Sequence, residues 1–282
     1  MKTTPKASLL VSTYEMPRHL RLVCAGLERQ SVESKDLEVF ICDDGSGEET
    51  ANIIKEFQTR APFPVYHLWQ ENQGFRKCRI LNRALKDSLG EVMVFLDGDT
   101  IPHRDYIRDH LEQQEKGYYL AGRRVMLGQK FSDWLTPKKV ISGFFDQPRF
   151  RLCLSTMTDD TEHFQRSIRV PFNGLRKKLG MTHIDDLIGC NYSVSRKALL
   201  AINGFDEAYE GYGREDTDVE LRLQNLGLKI KSMKGLALQF HIWHPRRIFT
   251  PANDDRLNEV KRSGKTWCEL GLEKSPAYRP IP

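Results

Sequence analysis

The stretch Val92-Met93-Val94-Phe95-Leu96-Asp97-Gly98-Asp99 decides how this chain folds. Its apolar run reads as a strand buried on both faces, and two carboxylates appear where that strand must end. Side chains two apart on an extended segment project to the same side, so Asp97 and Asp99 can converge on one hard cation or one polar ligand. An Asp-Gly turn with solvated carboxylates would be written with the same letters. What the rest of the chain supplies must separate the two.

Working back from this strand, the chain alternates strands with helices. Ala7 to Thr13 is an apolar run, His19 to Gln30 carries Leu20, Val23, Cys24 and Leu27 at helical spacing, and Leu37 to Cys42 is apolar again. After Asp43-Asp44-Gly45-Ser46, the spacing of Ser46 and Glu49 predicts a capping box for a helix through Ile53, Ile54 and Phe57, stopped by Pro62 and Pro64. Val65 to Trp69 reads as a third strand, and Phe75 to Leu89 as a helix with Ile80, Leu81, Ala84 and Leu85 on one side. Such alternation predicts an α/β fold with a largely parallel sheet covered by helices on both faces.

In that architecture ligands gather at the carboxyl ends of the strands. Those ends carry Ser12-Thr13-Tyr14-Glu15, Asp43-Asp44 and Asp97-Gly98-Asp99, and they should share one rim. The chain has no Gly-x-Gly-x-x-Gly after the first strand and no Gly-Lys-Ser, which counts against a dinucleotide or ATP site. A carboxylate-rich rim favours a nucleotide whose phosphates are held through a divalent cation.

Composition sets the outer limits. At 282 residues, 39% hydrophobic and 29% charged, the chain has the makings of an ordinary globular protein with a good core. No apolar run approaches a membrane span, and Leu9-Leu10-Val11 is too short for a signal-peptide core, so a cytoplasmic protein is expected. The six cysteines form no Cys-x-x-Cys pair and suit reduced thiols. A net charge of +5 does not imply a nucleic-acid partner. Lys138, Lys139, Arg149, Arg151, Arg166, Arg169, Arg176, Lys177 and Lys178 nevertheless crowd the middle of the chain. They read as a solvated basic face or, alternatively, as a peripheral contact with an anionic or membrane-borne substrate.

The runs Leu9-Leu10-Val11-Ser12-Thr13-Tyr14, Phe40-Ile41-Cys42-Asp43-Asp44-Gly45-Ser46 and Phe95-Leu96-Asp97-Gly98-Asp99, with Asn82 between the last two, resemble the nucleotide-sugar-binding half of the family 2 glycosyltransferases, of the GT-A fold. Glu15 stands where that family usually has Asn. Ile188-Gly189-Cys190-Asn191-Tyr192-Ser193, Gly204-Phe205-Asp206-Glu207 and Gly211-Tyr212-Gly213-Arg214-Glu215-Asp216 resemble the acceptor half, most closely the galactosyltransferase and N-acetylgalactosaminyltransferase type. Its pattern is Trp-Gly-Gly-Glu-Asp or -Asn, from which Tyr212 and Arg214 depart. The resemblance covers roughly residues 7–110 and 185–245.

This resemblance implies one GT-A catalytic domain over residues 1–245. It comprises a nucleotide-sugar-binding half (1–110), a variable acceptor-side region (111–184) and an acceptor and catalytic half (185–245), followed by a tail (246–282). It also implies the site. Thr13, Tyr14, Glu15, Asp43, Asp44, Arg76, Asn82, Asp97 and Gly98 would bind the donor, with Asp44 accepting from a uracil-like imide and Asp43 facing inward. Arg76 is equally an exposed arginine at a helix start. Asp97, Asp99 and His241 would hold Mn2+ or Mg2+, with His244 as the fallback ligand, although a histidine ending an apolar strand such as Gly235 to His244 often has only a structural role. Glu215, Asn191, Tyr212 and Trp243 would meet the acceptor.

A sugar hydroxyl is a weak nucleophile, and a carboxylate within hydrogen-bond reach can take its proton as the new bond forms. The resemblance gives this role to Asp216, whose other reading is a helix-start acid favoured by the dipole. The expected reaction is a single inverting displacement that moves a sugar from a nucleoside diphosphate donor, a UDP-sugar by expectation, to a glycan or lipid-linked glycan. The alternatives are a sugar-phosphate nucleotidyltransferase, which would attack the α-phosphate, and a non-catalytic carbohydrate-binding protein. Tyr118 to Leu127 reads as one further strand, Lys130 to Met181 as a loop-rich, partly helical excursion, and the tail from Arg246, with Pro251, Pro276, Pro280 and Pro282, as irregular.

Overall fold

A computed structural model describes residues 4–147, 150–245 and 248–274. Arg149 of the basic run, Arg246, and Pro276, Pro280 and Pro282 of the tail lie outside the described residues.

The expected strands form the first half of the main sheet: β1 (Ala7–Thr13), β2 (Leu37–Asp43), β3 (Val65–Trp69) and β4 (Val92–Asp97). Also present are β5 (Thr100–Pro102), β6 (Tyr118–Ala121), β7 (Val125–Met126), β8 (Tyr192–Ser195), β9 (Lys229–Ser232) and β10 (Gln239–His241). The seven-stranded sheet has the order β3-β2-β1-β4-β8-β6-β9. Only β8 runs against its neighbours β4 and β6; the other pairings are parallel.

Burial on both faces explains the apolar runs. Leu9, Val11, Val39 and Ile41 pack with Leu20, Val23, Ile53, Ile54 and Phe57 from the helices Pro17–Leu27 and Glu48–Arg60. Leu10, Phe40 and Phe95 face Ile80, Leu81, Ala84 and Leu85 of the helix Lys77–Asp87, and Val219 and Leu223 of the helix Glu215–Asn225. The strand order reverses at β1, which pairs with β2 on one side and β4 on the other, and a crevice opens beyond strand ends at such a point.

Several expectations are corrected. Ser46 caps no helix: the N-cap of Glu48–Arg60 is Gly47, and the Ser46 hydroxyl instead accepts the Glu15 N–H at 3.0 Å. Tyr118 to Leu127 is two strands, because the chain leaves the main sheet after Ala121 and Val125–Met126 joins the small sheet β5-β10-β7. Gly235 to His244 is extended only over Gln239–His241. The tail is not irregular throughout, since Ala252–Ser263 is a helix that starts just after Pro251, a position where proline's fixed φ is compatible with helix entry. Nor is the basic run one solvated face. Arg176 is buried and donates to the Ser232 and Lys234 carbonyls, Arg169 pairs with Asp109, and Arg151 and Lys139 both lie over the Trp134 ring. Among the described residues no helix is long and apolar enough to cross a membrane.

Candidate active site

A cavity of about 200 Å³ opens at the ends of β1 and β4 and reaches the start of Glu215–Asn225. It brings together Thr13, Tyr14, Asp44, Asp97, Asp99, Tyr212, Glu215, Asp216, His241 and His244 from the expected set. Residues separated by more than two hundred positions therefore share one cavity.

The small sheet makes that convergence. β10 runs antiparallel to β5, His241 stands opposite Thr100, and the Ile242 N–H donates to the Asp99 carbonyl at 2.8 Å. Asp99 thus faces two imidazoles, with His244 Nε2 at 3.2 Å and His241 Nε2 at 3.8 Å. One ligand atom from each of Asp99, His241 and His244 lies within 4.8 Å of the others, so the fallback histidine belongs to the trio. Burial pushes His241 down to about 4, which leaves its imidazole neutral near pH 7. Burial opposes ionisation of Asp99, but the His244 hydrogen bond and the adjoining His241 outweigh it and hold the carboxyl well below its usual range.

Asp97 stands apart from this trio. Its Oδ1 accepts from Lys77 Nζ at 2.9 Å, and the same ammonium lies 3.9 Å from Glu215 Oε1. Gly98 lets the turn between the carboxylates close, since a Cβ there would come within 2.9 Å of Thr13 Oγ1. Asp216 is held by two backbone donors, Gly189 N–H to Oδ2 at 2.9 Å and Thr217 N–H to Oδ1 at 2.8 Å. Burial raises the Glu215 carboxyl above its ordinary range, with Lys77 working against that shift.

Other expected residues serve the walls rather than the cavity. Asp44 lines it, but its oxygens already accept from Gln70 Nε2 at 2.5 Å and the Arg76 N–H at 2.7 Å. Arg76 turns its guanidinium away, to Gln73 and the Glu71 carbonyl. Asp43 is fully buried, accepts the Ser46 N–H at 2.8 Å and faces His67, as its inward reading requires. Glu15 does not line the cavity; its carboxylate accepts the Gly47 N–H at 2.7 Å.

The two motif asparagines are buried. Asn82 clasps the backbone of Phe205 through Nδ2 and Oδ1, both at 2.8 Å, and Asn191 donates to the Arg123 and Ala237 carbonyls. Neither reaches the cavity, and Trp243 lies outside it with its backbone tied to Ser132 and His19. Tyr212 is in the wall, edge-on to Phe75.

Sequence reasoning missed Lys77 and Arg124. Both line the cavity, and Arg124 Nη1 lies 3.1 Å from Cys190 Sγ. No periodicity marks a lone lysine at a helix start as buried.

The sequence and the fold match known proteins. The profile for glycosyl transferase family 2 matches residues 8–200, and that for the N-terminal domain of galactosyltransferase matches residues 169–245. The chain is 24% identical over 261 residues to the uncharacterized glycosyltransferase YfnE of Bacillus subtilis, covering 85% of this chain and 65% of that protein. It is 24% identical over 245 residues to a chondroitin synthase of Escherichia coli, covering 83% of this chain and 34% of that one. It therefore spans less than two thirds of either relative.

Among solved structures, a mannosyltransferase from Pyrobaculum calidifontis in complex with GDP-Man and Mn2+ superposes with a TM-score of 0.58 at 16% identity, covering 86% of this chain and 59% of that one. Residues 1–349 of Staphylococcus aureus TarS in complex with UDP give 0.59 at 15% identity, covering 92% of this chain and 65% of that one. The architecture is the GT-A fold. With the family profile matching well over half of its residues, the chain belongs to glycosyltransferase family 2.

Proposed function

We propose that this glycosyltransferase moves a hexose or N-acetylhexosamine from a nucleoside diphosphate sugar, in the first instance a UDP-sugar, to a hydroxyl of a glycan or lipid-linked glycan, with inversion. The observation that carries this reading is the meeting, in one cavity, of the Asp99–His241–His244 trio with the Glu215–Asp216 helix start. Three buried polar atoms of residues lining that cavity find no partner among the described residues: Thr13 Oγ1, Glu215 Oε2 and His241 Nδ1. Buried groups of this kind are normally satisfied, and a polyhydroxylated donor and acceptor offer the missing partners.

The trio suits a divalent cation: one ionised carboxylate with two imidazoles, one of them kept neutral by burial, fits Mn2+, with Mg2+ as the alternative. A cation held there by Asp99, His241 and His244 would offset the charge of the donor diphosphate. Asp97, engaged by Lys77 and outside the trio, would meet the donor ribose rather than the cation.

The protein's own residues would act as follows. Thr13 and Asp44 line the wall for the nucleoside, and Tyr212 offers a ring to a sugar face. Glu215 accepts one acceptor hydroxyl, while Asp216, oriented by the Gly189 and Thr217 N–H groups, takes the proton of the attacking hydroxyl. The hydroxyl oxygen forms its bond to the anomeric carbon on the face opposite the leaving group, and the diphosphate departs with the electron pair of the broken bond.

Incubation with a panel of UDP- and GDP-sugars tests the reaction class. Release of nucleoside diphosphate is the expected result; formation of sugar 1-phosphate and nucleoside triphosphate when pyrophosphate is added would identify a nucleotidyltransferase instead. A peripheral membrane contact has Lys177 and Lys178, beside the exposed Phe172 and Leu179, as carriers. Salt-sensitive sedimentation with anionic vesicles is the expected behaviour, and no binding at low salt would remove that contact.

A further inference from the structure

Lys77 is the first residue of the helix Lys77–Asp87, where the helix dipole disfavours a cation, and its side chain is only 14% exposed. Burial alone would lower the pKa of its ammonium; the carboxylates of Asp97, Glu215 and Asp216 outweigh that and raise it, so the group stays charged. A cation placed against both the dipole and desolvation contributes nothing to the helix by itself. Its partners account for it: Asp97 Oδ1 at 2.9 Å, ending β4, and Glu215 Oε1 at 3.9 Å, opening the helix Glu215–Asn225.

These partners come from the two halves of the cavity. Glu215 is itself 7% exposed, its Oε1 faces Lys77, and its Oε2 has no hydrogen-bond partner among the described residues. Without the ammonium, the carboxylates of Asp97, Glu215 and Asp216 would repel one another in a partly desolvated wall, and Glu215 would lose the group that fixes its rotation.

We propose that Lys77 is a positioning residue that joins the two halves of the cavity, using its hydrogen bond to Asp97 to hold Glu215 turned toward the acceptor beside Asp216. The inference rests on the glycosyl-transfer reading above. Lys77 is distinct from the residues proposed to touch the acceptor, because it acts through Glu215.

A double-mutant cycle tests it. Lys77→Met is expected to lower kcat/KM for the acceptor by about 30-fold in the native background and by about threefold or less in the Glu215→Gln background. Its affinity for UDP with Mn2+, measured by titration calorimetry, should stay within about threefold of the parent. Should methionine prevent a cooperative melt, Lys77→Gln, which keeps a donor for Asp97 without the charge, runs the same cycle.

Equal losses in both backgrounds would overturn the inference, as would a loss of UDP affinity as large as the loss of turnover, which would assign Lys77 to the donor through Asp97. A parent protein that releases no nucleoside diphosphate from any donor removes the functional reading and the inference together. An active parent with an additive cycle removes only the role of Lys77.

Discussion

On one side of the cavity, Thr13 ends β1, Asp44 directly follows β2 and Asp97 ends β4, strands whose backbones are paired along their lengths. On the other side, Glu215 and Asp216 follow the loop Gly211-Tyr212-Gly213-Arg214, in which Gly211, Gly213 and Arg214 all have positive φ. A paired strand fixes its terminal side chain through the ladder, whereas a left-handed loop depends on whatever packs around it. Here the tail supplies that support. Asn253 Nδ2 donates to the Gly213 carbonyl at 2.8 Å, the Thr250 N–H to that of Tyr212 at 3.0 Å, and Arg214 Nε to Asp254 at 2.6 Å. The proposed donor wall is thus built by the sheet, and the proposed acceptor wall by contacts from a distant segment of the chain.

The sharpest way to break the second wall is at Arg222. Only 1% exposed, it pairs with Asp218 and donates to the Ile202 and Gly204 carbonyls, anchoring the helix Glu215–Asn225. Arg222→Ala leaves Asp218 buried without its cation, and a loss of about 3–5 kcal/mol is expected in urea unfolding. A loss below about 1 kcal/mol would mean that the ion pair is not what anchors the helix.

A smaller effect is expected where the strand side meets the small sheet. Asp99→Ala should reduce the Mn2+-dependent component of UDP affinity by about 10-fold or more, with little change in metal-free binding. An unaltered metal requirement in calorimetric titrations would remove the trio as the cation site.

The smallest change is expected at Arg214, which has φ +77 where the related pattern has Gly. Arg214→Gly relieves left-handed strain but gives up a half-exposed ion pair with Asp254 and a guanidinium 5.1 Å from the Phe249 ring. The terms oppose each other, and unfolding free energy should move by less than about 1 kcal/mol. A loss of more than about 2 kcal/mol would show that the tail contacts, rather than the helix anchor, carry the loop.

The same contrast explains what could be read from the sequence. Strand ends announce themselves, because an apolar run must stop where carboxylates begin, and Thr13, Asp44, Asp97 and Asp99 were all legible in this way. The place of Asp216 beside the cavity is legible from a motif. Lys77 was not, since its burial arises only when β4 and a helix more than a hundred residues later close around it. Sequence spacing leaves His244 only a fallback ligand, because it cannot show that the chain after β10 returns its ring to Asp99.

Asn82 and Asn191 show the opposite case. Their motifs point to ligands, whereas in the fold both amides satisfy buried backbone. The helix Ala252–Ser263 buries only Asn253 and Leu257, so it had no apolar period to reveal it.

On the proposed function, one cavity binds a nucleotide sugar and Asp216 activates the acceptor within it. Asp216→Asn, assayed in parallel for Mn2+–UDP affinity and for sugar transfer, tests it most directly. The expected result is affinity within about threefold of the parent, with turnover lowered by about 10²–10⁴-fold. Turnover close to that of the parent, or a loss of UDP binding that accounts for the whole loss of activity, would contradict it.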